Sequence, residues 1–295
     1  MTASEPVEVY RSYWRPASEE RGFVLHAVGI ESVVVRVGAT WVLYVPAEST
    51  DAALVQLRRY ELENPPRRRP AAPEPLHRHA WVGSAAYAFV MLLVGYLAGE
   101  FAYGVDWLAA GALRGAPTQA GEWWRAVTAL TLHLDVGHLL ANLGFGTVFG
   151  LLAGQLLGTG VAWATVLAAA AGANLVNAFL QPANHSSVGA STAVFATLGL
   201  LAAYAWRRRH DAGDRWAYRW APLVAGVILL GFTGAGGERT DVVAHLTGFA
   251  AGTLAGIAHA RWPARRGAVA QWLAGLVSVA VLAGAWALAL SAAAR

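Results

Sequence analysis

The chain has 295 residues, of which 56% are hydrophobic and 14% charged, with a formal net charge of +4 and no cysteine. Soluble domains carry about 25% charged residues, and several uncharged runs here approach the ~20 residues that cross a bilayer, so the composition marks a polytopic membrane protein rather than a soluble one. The lack of cysteine excludes disulfides, a thiol nucleophile and thiolate metal sites, and arginines clustered beside apolar runs do not make a nucleic-acid surface.

The opening stretch, MTASEPVEVYRSYWRP, has no apolar core, so no cleaved signal peptide is expected. Residues 1–65 read as a small N-terminal α+β domain. ASEERGFVLHAVGI offers a serine cap, an acidic first turn and apolar residues at helical spacing ending at Gly29. SVVVRV and TWVLYV are β-branched and aromatic and are separated by Gly38 and Ala39, the pattern of a hairpin. STDAALVQLRRYELEN reads as a second helix stopped by Pro65 and Pro66. Residues 66–79 form a linker rich in proline and arginine.

Seven spans are expected at about 80–101, 138–157, 160–180, 191–206, 218–234, 241–260 and 268–292. The arginines gather before the first span, between the fourth and fifth, and between the sixth and seventh. By the positive-inside rule these connections are cytoplasmic, which puts the N-terminus inside and the C-terminus outside. The fourth span is short. From Ser191 to Trp206 it makes ~24 Å of helix at 1.5 Å per residue, against a hydrocarbon core of ~30 Å. Trp206 and Arg207 to Arg209 pin its far end at the cytoplasmic surface, so the Ser191 end should begin below the outer surface. The preceding loop, QPANHSSVGA, must then dip inward, which is tolerated only where backbone is buried in protein or lines a watery cavity.

A serine placed there can act as a nucleophile if a base takes its proton. The sixth span, DVVAHLTGFAAGTLAG, supplies His245 near the same end, followed by Gly248, Gly252 and Gly256. Small residues four apart let two membrane helices approach closely, and this stripe could carry His245 against the Ser191 helix. His138 and Asn142 are four apart at the start of the second span and share a face. Both can donate hydrogen bonds to a developing oxyanion, as can the N–H groups at the start of the Ser191 helix. Asp241, four residues before His245, reads as a cap for the sixth helix.

The ordered strings WWR…HLDVGHLLAN, GAS and AHLTG, on the second, fourth and sixth spans, resemble the rhomboid family of intramembrane serine proteases over roughly residues 80–260. The resemblance implies a six-helix catalytic core, here residues 80–260, with the span at 268–292 added. It implies Ser191 as nucleophile and His245 as its general base, with His138 and Asn142 in the oxyanion hole. His133 would be mainly structural, Trp124 and Arg125 would shape a loop lying partly in the membrane, and Phe195 would pack on His245. Many relatives have tyrosine at that last position; a ring is kept here. Gly189 would allow the tight backbone beside the nucleophile, and Gly248 belongs to the close-packing stripe.

The expected activity is an intramembrane serine endopeptidase that cuts transmembrane helices of other proteins near their outer end, in the cell (inner) membrane, by a Ser-His dyad. The family needs no metal or other cofactor. Its partners are transmembrane substrates and the bilayer, not nucleic acid, and homo-oligomerisation is compatible with it. A catalytically silent relative that only binds membrane helices is the alternative, opposed by the intact Ser191 and His245. A metalloprotease is excluded because His133 and His138 are five apart and no His-Glu-x-x-His occurs. A transporter is disfavoured because the two halves show no repeat of broken spans. The seventh span carries none of the family's site residues, so it is expected to be peripheral.

Overall fold

The computed structural model describes residues 5–64, 76–234, 240–261 and 267–295. The chain divides into two units, residues 1–70 and 71–295. The first is built from β1 (Val7–Ser12), α1 (Arg15–Ala27), β2 (Val33–Val37), β3 (Thr40–Val45) and α2 (Thr50–Glu63). Its antiparallel sheet has the order β1-β3-β2. Leu25 from α1, Leu43 and Val45 from β3, and Ala53 and Leu57 from α2 make the core. The hairpin expected around Gly38 is β2–β3, and α1 ends just before Gly29, which takes φ +79°. Two details differ from the sequence reading. Val7–Ser12 adds a strand, and Ser18 is not a helix cap: it is buried and donates from Oγ to the Trp41 carbonyl. Pro16 in the first turn moves the helix start upstream. Most of the linker, residues 66–75, with Arg67 to Arg69, lies outside the described residues.

The second unit is helical. It comprises α3 (Ala80–Gly99), α4 (Trp107–Gly111), β4 (Leu113–Arg114), α5 (Gly115–Gln119), α6 (Arg125–Thr128), α7 (Val136–Leu157) and α8 (Thr159–Leu180). It continues with β5 (Ser186–Ser187), α9 (Ser191–Asp211), α10 (Trp216–Gly234), α11 (Val242–Arg261) and α12 (Ala268–Ala293). Among the described residues six helices, α3, α7, α8, α10, α11 and α12, are long and apolar enough to cross a membrane, which makes this a multi-pass membrane protein. The expected fourth span, α9, is not among the six, because its last turn carries Arg208, Arg209 and His210. It is nonetheless a central helix, with a buried run from Val194 to Leu200.

The segment between α3 and α7, expected as a long loop, is instead folded into short helices stitched by Arg125. This side chain is buried, pairs with Glu122 at 2.6 Å and donates to the carbonyls of Ala109 and Ala112. Thr128 adds a bond to the Gly111 carbonyl. A buried guanidinium is tolerated because its donors are matched.

α12, expected to be peripheral to the site residues, packs against the rest of the bundle. Much of its surface is open, including Trp272 and Leu276. Towards its end, however, Trp286 is only 8% exposed and packs on Trp107 with ring centroids 4.8 Å apart. Its indole N–H donates to Thr131. At the other end Gln271 accepts from Val161 N–H and donates to the Leu157 carbonyl. The helix is therefore fastened to the bundle at both ends.

Candidate active site

The site starts from one seam. Gly248, Gly252 and Gly256 on α11 lie against the backbone carbonyls of Thr192, Ala196 and Leu200 on α9. A Cβ at Gly252 would overlap the Ala196 carbonyl, so only glycine permits the approach. This seam sets the two helices in register and brings Ser191, the first residue of α9, to His245, in the first turn of α11. Ser191 Oγ and His245 Nε2 are 2.8 Å apart, although 54 positions separate them in sequence. His245 is buried, and the Phe195 ring packs on it with centroids 4.5 Å apart.

The turn before Ser191 is held by the segment that leads into α7. Gly189 N–H donates to the Ala129 carbonyl at 2.9 Å. Ala190 N–H donates to His133 Nε2 at 3.4 Å, which leaves the His133 proton on Nδ1. Gly189 takes φ +134°, and a Cβ there would come within 2.7 Å of the His138 ring, so glycine is needed for both reasons. The His138 ring is thereby placed beside the turn that leads into Ser191. Asn142 is buried one turn further along α7; its side-chain amide donates to the His138 carbonyl, and its own carbonyl accepts from the Tyr87 hydroxyl. An amide has a second N–H. The first N–H groups of α9 have no partner within the helix, as at any helix start. Ser191, His245, His138, Asn142, Phe149 and Thr233 face a common cleft of about 1060 Å³. Trp124 packs on the cluster around Trp107 and Leu132, and Arg125 stitches the neighbouring helices, so both lie behind the cleft.

Asp241 precedes α11 and caps it, Oδ1 accepting from Ala244 N–H at 3.0 Å. Its other oxygen faces His185 Nε2 at 2.8 Å and accepts from Asn177 Nδ2 at 2.7 Å. Burial would raise this carboxyl, but hydrogen bonds from Ala244, His185, Ser187 and Asn177 outweigh it and hold the group below its ordinary value. The sequence reading missed His185, Asn177 and Tyr87. The available signal was a polar residue within an apolar span for Asn177 and a histidine in the loop before Ser191 for His185.

Residues 120–262 match the rhomboid domain family model. Over 139 residues the chain is 30% identical to Rhomboid-like protease 2 of Toxoplasma gondii, covering 47% of this chain and 48% of that protein. It is 28% identical over 138 residues to the putative rhomboid protease YdcA of Bacillus subtilis, covering 45% and 66%. It is 32% identical over 94 residues to the rhomboid protease GluP of the same organism, covering 32% and 18%. Each match covers less than two thirds of the relative's own length.

Proposed function

The chain belongs to the rhomboid family, and from that premise we propose that it is a serine endopeptidase that cuts transmembrane helices of other membrane proteins. The observation that carries this reading is the 2.8 Å contact between Ser191 Oγ and His245 Nε2 in the cleft. His245 takes the Ser191 proton as Oγ attacks the scissile carbonyl. The oxyanion that forms is met by His138, the second N–H of Asn142 and the free N–H groups at the start of α9. His245 then protonates the leaving amide nitrogen, and the acyl-enzyme is released by a water that His245 activates. Phe195 packs on the imidazole and limits its movement.

A substrate helix satisfies its own backbone hydrogen bonds, so it must unwind before its carbonyl can enter the cleft. The basic end of α9, with Arg208 and Arg209, is the cytoplasmic end in this reading. The cleft, at the opposite end of α9, opens outward from the cell (inner) membrane. The N-terminal unit is then cytoplasmic and the C-terminus extracytoplasmic. The test is incubation of the detergent-purified full chain with a panel of model transmembrane substrates. Wild type should cut at least one, and Ser191→Ala and His245→Ala should cut none; cleavage that persists in folded Ser191→Ala removes the reading.

A further inference from the structure

The glycine seam fixes α9 and α11 on one side of the Ser191–His245 pair, towards the basic end of α9. On the other side the two catalytic elements meet again, through side chains. His185 lies in the loop that delivers Ser191, and Asp241 lies one helical turn before His245. His185 Nε2 is 2.8 Å from Asp241 Oδ2. An ionised carboxylate only accepts, so Nε2 carries the proton of this bond. Asn177, fully buried near the end of α8, donates to the same oxygen at 2.7 Å. The loop is anchored independently, because the His185 carbonyl accepts from Gly115 N–H at 3.1 Å and Ser186 and Ser187 pair with Arg114 and Leu113. The Asp241 and His185 side chains are 12% and 25% exposed, so water competes weakly for the contact.

The Ser191–His245 pair is thus bracketed. Backbone packing holds it from one side and a half-buried carboxylate clasp from the other. We propose that His185 and Asp241, anchored on Asn177, are positioning residues that set the approach of His245 to Ser191. The proposal rests on the protease reading above and deepens it. Neither residue is the base. The clasp acts by holding the first turn of α11 against the nucleophile loop, and reaction rate is steep in such placement, a misplacement of ~1 Å costing about 10²-fold.

The experiment uses the full chain in detergent and reads two quantities per folded molecule: the rate at which a fluorophosphonate labels Ser191, and kcat and KM on a model transmembrane substrate. His185→Ala and Asp241→Asn should each lower kcat and the labelling rate by roughly 10-fold to 10²-fold, with KM little changed. Asparagine retains the cap acceptor for Ala244 N–H but cannot accept from His185 and Asn177 as the carboxylate does. The double variant should be no slower than the slower single, because both remove one contact. His185→Gln keeps an N–H donor and should recover most of the rate. A merely structural role would lower the melting temperature while leaving labelling per folded molecule, and the glutamine rescue, unmoved. Wild-type labelling with His185→Ala or Asp241→Asn matching it, or a double variant whose losses multiply, overturns the clasp alone. A wild type that neither labels nor cleaves overturns the protease reading and the clasp with it.

Discussion

α9 and α10 follow one another in the chain and flank the same cleft, yet they are held by different means. α9 meets α11 chiefly through backbone: the carbonyls of Thr192, Ala196 and Leu200 are the nearest atoms to the three glycines. α10 is held by side chains, with Leu230 packed near Phe195 and Leu198. Val224, Val227, Ile228 and Phe232 of α10 point away from the protein. Leu229 and Thr233 form its contribution to the cleft. A backbone-to-backbone seam cannot relax by changing rotamers, whereas a side-chain contact can. Ser191 and His245 therefore sit on the pair of helices whose separation is fixed by main-chain contact, and the opposite wall of the cleft is built from the more adaptable kind.

The comparison can be broken most directly at the seam. Gly252→Val places branched carbon where the Ala196 carbonyl lies, so α9 and α11 must part. The expected result is loss of folded protein or, in whatever folds, loss of Ser191 labelling by more than about 10²-fold. A folded variant with wild-type labelling would show that the seam does not set the dyad. The next effect is smaller and lies on α12. Trp286→Ala empties a buried site beside Trp107, and removal of a buried tryptophan costs on the order of 3–5 kcal/mol. The melting temperature in detergent should fall well below that of Trp272→Ala, whose side chain is open on the same helix. Equal melting temperatures would show that the Trp286 contact does not fasten α12 to the bundle. The smallest effect belongs to α10: Phe232→Ala, at an open position, should change stability by no more than about 0.5 kcal/mol and leave labelling intact.

How much of this could be read beforehand depended on how each feature is written in the chain. The pairing of Ser191 with His245 was legible because each residue sits beside small residues in an otherwise apolar run, and because the glycine stripe has a fixed period. The start of the fourth span at Ser191 was legible, but its end was not: α9 continues through the arginines to Asp211. His185, Asn177 and Asp241 were not legible as a group. They lie in three separate segments, and a hydrogen bond across 56 or 64 positions leaves no periodicity. Trp286 was hidden for the opposite reason: α12 is apolar on every side around it, and no polar residue beside it marks which side meets protein and which meets lipid. Ser18 precedes two acidic residues as a cap would, and only the position of Trp41 shows that its hydroxyl serves the core instead.

The central claim is that Ser191 is made nucleophilic by His245. It is tested most directly by labelling the full-length protein with a fluorophosphonate and mapping the modified residue by mass spectrometry, in wild type, Ser191→Ala and His245→Ala. Wild type should carry the label on Ser191 alone. Ser191→Ala should carry none, and His245→Ala, folded and with Ser191 present, should label at a background rate. Labelling of His245→Ala at the wild-type rate, or a label on wild type at any serine other than Ser191, would contradict it.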